Sequence, residues 1–450
     1  MRVFALLILI ALLAGFAQAG ENPRVIIMTD HGKIKADGSQ WIGDTDDLQS
    51  MCRLLLYSNK LDLEGLICVT ANSVKYALYP EGIHERIDAY AKVRPNLLLH
   101  EKGFPEPEYL HRLVKLGNVD PNKYGLEATG PGKSSEGSRW IIAVVDQPDP
   151  RPVYICAWGG TNTLAQALTD VRRERSPEQL AAFVRKIRLI PVHRQDSSTD
   201  WIPEQFPTLK VIEILWNWNG MSVGPSDHKI HPYYFRAKGG DESLVSHDWV
   251  RQNIRGRGPL SDLYPFHYHI MEGDTPSFLY LLPNDLGDPE KPELGSWGGR
   301  YTAAGPVHKE VDETVEGITE TYASVWRWRP AYQNDFAARM DWCVKPYAQA
   351  NHNPVAAIKG EARRTVKPGA TVSLSAEGST DPDGNELTYN WSFYPPAPVE
   401  VKIDNPNKIK ASFVAPQLTK PETFHVLLTA KDNGTPNLYS YKRIELRIVP

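Results

Sequence analysis

Between Arg24 and about Asn351 the chain repeatedly sets a short, unbroken apolar run against a longer segment of helical period, and few folds satisfy that alternation. Val25-Ile26-Ile27-Met28, Leu63 to Val69, Pro152 to Ala157 and Ile187 to Val192 read as strands covered on both faces, as in a parallel sheet. Leu48, Met51, Cys52 and Leu55 recur at i, i+3, i+4 and i+7 and place one apolar face on a helix; Leu164, Ala167 and Leu168 do the same on another. The expected fold class is therefore α/β, an open, mostly parallel sheet with flanking helices. From Asn353 onward the pattern changes to period 2: Val372/Leu374/Ala376, Leu387/Tyr389/Trp391/Phe393, Phe424/Val426/Leu428/Ala430 and Ile444/Leu446/Ile448. Short alternating strands at this spacing predict a small all-β, immunoglobulin-like sandwich, with Asp381-Pro382-Asp383-Gly384-Asn385 as a hairpin turn.

Ahead of the first strand, Arg2, an apolar run from Val3 to Phe16 and Ala17-Gln18-Ala19 form a cleavable secretory signal by pattern. The run is shorter than the roughly 20 residues a membrane span needs, and no second stretch follows. No cysteine at the cleavage point offers a lipid attachment. The division expected is residues 1–19 signal, 20–351 α/β domain and 352–450 sandwich, with the mature protein secreted or periplasmic after cleavage near Ala19. A net charge of −4 with 23% charged residues argues against a nucleic-acid partner. Four cysteines, Cys52, Cys68, Cys156 and Cys343, are too few for a disulfide scaffold, although one bridge stays open.

Polar residues cluster just past the apolar runs, at Asp30, Asn72, Thr161 and Asn162. Ligands of open α/β sheets bind along that edge, so these residues are expected to converge in space. Met28 to Met51 adds Asp44, Asp46 and Asp47 to Asp30. Carboxylates so crowded repel unless paired, hydrated or wrapped round a hard cation such as Ca²⁺; helix capping by Asp46 and Asp47 leaves Asp30 and Asp44 without a reason. Gly-Lys-Ser at 132–134 lacks the first glycine and the strand of a phosphate loop, and G-x-S-x-G, HExxH and Cys/His zinc patterns do not occur.

A strand ending in aspartate, an Asp-Asp pair opening a helix, Leu66-Ile67-Cys68-Val69-Thr70-Ala71-Asn72 and GGTNTLAQAL resemble the nucleoside hydrolase fold. RQDSSTDWIPEQFP, MEGDTPSFLYLL, ELGSWGGRY, VWRWRPAYQNDFAARMDW and ANHNPV resemble more closely its secreted, cellulose-binding relatives with an appended immunoglobulin-like domain. The resemblance spans nearly the whole mature chain. It implies a calcium site made by Asp30, Asp47, the Thr161 carbonyl and Asp274, with Asp46 and Asn72 holding sugar hydroxyls. It also implies Asp30 as the general base that takes a proton from water attacking an anomeric carbon.

Two features depart from the hydrolase pattern. Asp30 and Asp46 are 16 positions apart, much farther than in the hydrolases, so His31–Thr45 inserts beside the pocket. Gly273 stands immediately before Asp274, where the hydrolases commonly carry histidine. His193, His267 and His269 are the other histidines considered for the acid role. Gln195 and Asp196, past the run ending at Val192, are either ligand contacts or loop hydrogen-bonding groups. Trp41 and Trp201, in polar loops, are the tryptophans best placed to stack on a sugar, whereas Trp326, Trp328 and Trp342 read as core. The expected function is hydrolysis of an N-glycosyl or glycosidic bond in a carbohydrate or nucleoside-like molecule. The alternative is a non-catalytic binder of cellulose or another polysaccharide, and a purely structural acidic site is a third reading.

Overall fold

A computed structural model of the chain describes residues 22–34, 41–42, 44–72, 77–221, 239–265 and 270–450; the signal segment lies outside them. Eight strands form one sheet: β1 (Arg24–Thr29), β2 (Asp62–Cys68), β3 (Val114–Leu116), β4 (Val153–Ala157), β5 (Ile187–Pro191), β6 (Lys210–Ile212), β7 (Tyr301–Ala304) and β8 (Val307–Glu310). Their spatial order is β3-β2-β1-β4-β5-β6-β8-β7. All neighbours run parallel except the edge pair β8 and β7. The unbroken apolar composition of β1 follows from burial on both faces: Val25 and Ile27 enter one core, Ile26 and Met28 the other. Register pairs Thr29 with Cys68, Met28 with Ala157 and Ala157 with Pro191, so four strands finish together at one edge.

Helices cover both faces. On one lie α1 (Asp46–Leu56), α2 (Pro80–His100) and, far along the chain, α7 (Arg329–Trp342); on the other lie α3 (Glu136–Val145) and α4 (Asn162–Glu174). Two short helices, α5 (Ser198–Gln205) and α6 (Thr275–Leu279), follow the strand-end loops. The single apolar face expected on α1 understates its environment, because all eleven residues are buried. Gln49 Oε1 accepts from the backbone N–H groups of Met271 (2.8 Å) and Glu272 (3.2 Å), and Thr275 Oγ1 bonds Ser50 Oγ at 3.1 Å. The Arg53 guanidinium lies 2.5 Å from Glu272 with both side chains fully buried; Glu272 also accepts from Tyr264 and Thr275.

The C-terminal region packs a four-stranded sheet, β9 (Arg363–Val366), β14 (Tyr439–Ile448), β13 (Glu422–Asp432) and β11 (Leu387–Phe393) in that order, against the pair β10 (Thr371–Ser375) and β12 (Lys410–Val414). The alternating residues expected inside, Val372, Leu374, Trp391, Val426, Leu428, Ile444 and Leu446 among them, make its core. On the opposite face of the larger sheet, Leu427 and Tyr441, together with Tyr394, join the core of the α/β domain. Trp297 donates to Tyr441 at 3.1 Å, Asn353 donates to Asp335 at 2.8 Å and Tyr394 donates to Glu313 at 3.2 Å across that seam. All four cysteines are buried free thiols. Among the described residues no helix is long and apolar enough to cross a membrane.

Removing one partner of a buried ion pair strands the other, at a cost of about 3–5 kcal/mol. Arg53→Met is expected to lower the stability of the α/β domain by that amount in urea unfolding. A loss under about 1 kcal/mol would show that this ion pair is not a fixed point of the fold.

Candidate functional site

β1 delivers Asp30 to the shared strand edge, where the chain leaving the neighbouring β4 lies against it: the N–H groups of Trp158 and Gly159 both donate to Met28 O. A Cβ on Gly159 would lie 2.6 Å from Asp30 Oδ1, so the glycine allows the backbone leading to Thr161 to lie against the carboxylate. The chain returns from the His31–Thr45 insertion through a bridge between His31 and Asp44, with Gly32 N–H donating to Asp44 O at 2.5 Å. Asp46 and Asp47 then open α1. Thr45, the residue capping that helix, makes no side-chain cap bond, and Asp46 Oδ1 accepts from Asp47 N–H at 3.1 Å. Gly273 N–H donates to Asp46 Oδ2 at 3.0 Å, which draws the 270s loop and Asp274 into the same place.

The result is a cluster of five carboxyl groups. One oxygen from each of Asp44, Asp46 and Asp47 lies within 4.8 Å of the others, a spacing that ligands on opposite sides of one Ca²⁺ would show given metal–oxygen distances of about 2.4 Å. Burial, then Asp30 and Asp46, push the Asp47 carboxyl well above the usual carboxylate range. Thr29 Oγ1 donates a short bond to it. Burial followed by Asp47, Asp46, Asp44 and Asp30 pushes Asp274 up, and burial followed by Asp46 does the same to Asp44. Asp274 Oδ2 is buried without a hydrogen-bond partner. A bare anion there is costly, whereas a hard cation would take that oxygen and offset the mutual repulsion. The donor set fits such an ion.

The other expected residues divide. Thr161 is buried at the same edge, and its carbonyl accepts only the ordinary helical bond from Ala165 at 3.0 Å. Asn72 is exposed beside it, its N–H held by Gln195 O at 2.9 Å. Gln195 donates its amide to Trp158 O and to Val192 O. Asp196 is consumed internally: it accepts from Ser198 N–H (2.9 Å), Asn162 N–H (3.2 Å), Asn162 Nδ2 (3.0 Å) and the hydroxyls of Thr161 and Ser198. Of the two roles the sequence leaves open for it, these bonds are those of a loop group that joins β4 to β5. Trp201 packs edge-on to Phe206 and under Arg172, ten residues and about 15 Å of helix beyond the opening turn of α4 at Asn162. The side chain of Trp41 and both His267 and His269 lie outside the described residues. His193 is an exposed residue at φ 61°, its N–H bonded to Ile214 O.

Two site residues carry no sequence signal that singles them out. Trp218 stands beside the cluster, since a Cβ on Gly273 would lie 2.7 Å from Asp46 Oδ2 and 3.7 Å from Trp218 Cβ and Cε3. A side chain at position 273 would require the Asp46 carboxylate to shift while meeting the indole at ordinary contact distance. His31, buried, bonds Tyr79 O at 2.5 Å through Nε2; burial lowers its pKa to about 4 and keeps the ring neutral. Neither follows from periodicity, because their partners are remote in sequence.

Against this geometry, residues 24–301 match the model of the cellulose-binding Sde182, nucleoside hydrolase-like domain, and residues 371–448 match the cellulose-binding protein Sde0182, C-terminal domain. The chain belongs to this cellulose-binding, nucleoside hydrolase-like family. A nucleoside hydrolase-related hypothetical protein from Saccharophagus degradans, associated with carbohydrate metabolism, is 34% identical over 95% of this chain and 100% of its own, with a TM-score of 0.77. The PKD domain of the KIAA 1837 protein is 21% identical over 20% of this chain and 84% of its own, at a TM-score of 0.17. Endo-fucoidan hydrolase MfFcnA9, from glycoside hydrolase family 107, is 9% identical over 95% of this chain and 80% of its own, at 0.18. At those scores neither bears on function. A search of curated proteins finds no match.

For this member of the Sde182 family the raised carboxyls fix a pH dependence. Their folded pKa values exceed the roughly 3.9 of an unfolded aspartate, so the stability they lend is complete below that value and drains as pH rises through the folded values. In chelator, the melting temperature is expected to fall steadily from about pH 5 to pH 8. A flat or rising profile would show that the cluster does not hold protons.

Proposed function

We propose that the protein is a secreted, calcium-dependent hydrolase of an N-glycosyl or glycosidic bond. The observation that carries this reading is the convergence of Asp30, Asp44, Asp46, Asp47 and Asp274 at the strand edge, three of them with strongly raised carboxyl pKa values. Asp30, Asp47, Asp274 and the Thr161 carbonyl would hold Ca²⁺, with Asp44 and Asp46 within reach of the same volume. When bound, the ion supplies positive charge that polarises a nucleophilic water and neutralises the cluster. Asp30, at the end of β1, would accept the proton of a water attacking the anomeric carbon, while the bond from that carbon to the departing nitrogen or oxygen breaks and the departing group takes a proton from solvent. Asp46 and Asn72 meet ring hydroxyls, and the Trp218 indole offers an apolar face to the sugar or the departing group. His31 stays neutral and anchors the inserted segment through Tyr79, rather than delivering a proton.

A second reading is favoured by Gly273. With a glycine before Asp274 and Glu272 locked to Arg53, that loop offers no acid for the leaving group. A pocket that binds a sugar end without cleaving it, in a polysaccharide-binding protein, fits this feature and the family description.

The two readings part on product release from nucleosides and from plant and microbial oligosaccharides, followed by mass spectrometry with calcium present. An enzyme is expected to release product and to lose at least about 10²-fold in rate on Asp30→Asn, with folding retained. No product from calcium-loaded, folded wild type would turn the reading from the hydrolase to the binder. Separately, Asp47→Asn and Asp274→Asn are each expected to abolish the calcium-binding heat in titration calorimetry; unchanged binding would remove the cluster as the metal site.

A further inference from the structure

A cleft of about 340 Å³ opens along the seam between the two domains, away from the carboxylate cluster and sharing none of its residues. One wall is a face of the larger sandwich sheet. The register sets Thr388 opposite Lys431 and Lys431 opposite Tyr439, and in the next row Asn390 opposite Thr429 and Thr429 opposite Tyr441. The other wall is the entry to α7, with Arg327 and Trp328. On this sheet face Leu427 and the Tyr441 of the second row are pressed into the α/β core, and Tyr439 of the first row rests against it. The polar members of the two rows are more open: Thr388 and Asn390 are exposed, and Thr429 and Lys431 are half-buried.

The lining joins fixed aromatic rings to polar groups with little else to do. Trp328, which reads as core in the sequence, is half-buried and held edge-on against Tyr394 at 5.2 Å and Tyr441 at 5.7 Å. The side chains of Asn390 and Thr429 form no hydrogen bond with any described residue. Lys431 forms no ion pair among the described residues and rests 5.6 Å above the Tyr439 ring. Arg327 is already paired with Glu313, so the cleft offers amide and hydroxyl groups beside one uncompensated ammonium, that of Lys431. An apolar ring face beside such hydrogen-bonding groups suits a pyranose, whose axial C–H face is apolar and whose rim is hydroxyl. The volume lies at the lower end for ligand sites and admits a chain end or a single ring with its neighbour projecting out.

We propose that this cleft is a second carbohydrate site, one that takes a neutral β-glucan chain independently of the carboxylate pocket. The choice of occupant rests on the carbohydrate reading above, and the location rests on the seam alone. Tyr439 and Trp328 carry the ring, and Asn390, Thr429 and Lys431 meet its hydroxyls.

The test is titration calorimetry of the full chain with cellohexaose and with oligogalacturonate, on wild type, Asn390→Ala/Lys431→Ala and Asp47→Asn. Asn390 is exposed and Lys431 half-buried, and neither side chain has a hydrogen bond or ion pair among the described residues, so the double variant is expected to fold with a melting temperature close to that of wild type. Loss of two ligand hydrogen bonds should weaken cellohexaose binding about tenfold or more in the double variant and leave it intact in Asp47→Asn. Binding abolished by Asp47→Asn but untouched by the seam variant would overturn the proposal and keep the carbohydrate reading. Binding of oligogalacturonate only would overturn the neutral occupant, and binding of neither sugar would overturn both.

Discussion

Mutual repulsion among buried carboxylates is the constraint around which the α/β domain is arranged. Five aspartates meet where β1, the opening of α1 and the loop before α6 come together, in surroundings that push Asp44, Asp47 and Asp274 well above the ordinary carboxylate range. Concentrating like charge in low dielectric works against folding, and the surrounding architecture resists it. Gln49, Ser50 and Arg53 fasten the buried helix α1 to Met271–Thr275, so the loop bearing Asp274 is held against the charge it must face. Glycines at 159 and 273 remove the atoms that would keep backbone and carboxylate apart. Strain of this sort at a strand edge is usual where a protein is built around a ligand.

The parts of this arrangement legible in the sequence are those with a short-range signature. Val25 to Met28 betrays a strand covered on both sides because both of its faces must be apolar; the alternation around Trp391 betrays a sandwich because only one face must be. The convergence of Asp30, Asn72 and Thr161 follows from a topological rule, since parallel strands in register end at a common edge. The polar side of α1 misleads for the complementary reason. Its partners lie more than two hundred residues away, and a buried hydrogen-bonded glutamine looks in sequence like a solvated one. Asp196 shows the same ambiguity, for a carboxylate that ties two loops together has the composition of one that binds a ligand.

Tryptophan is the residue whose role sequence resolves least. Trp326 and Trp342 are core, as read, while Trp328 between them stands half-exposed at the seam and Trp218 shares the neighbourhood of Gly273 with Asp46. Helical or strand period does not separate these cases: Trp218 donates to Leu215 O only three residues back and Trp342 to Asn351 O nine residues on, yet one is half-buried and the other core. Trp201, in a loop that reads as polar, is instead clasped by Phe206 and Arg172.

Tyr394, Leu427 and Tyr441 of the sandwich belong to the core of the neighbouring domain, and that has a consequence for how the protein is inherited. A domain strung on a flexible tether can be shuffled among proteins, gained or lost, without disturbing its neighbour. Here excision would bare an aromatic patch on both halves, an invitation to aggregate rather than a pair of independent modules. The two halves therefore share one core across the seam. Any glucan gripped at the junction would be held at a set distance and angle from the carboxylates, with no linker to blur that geometry.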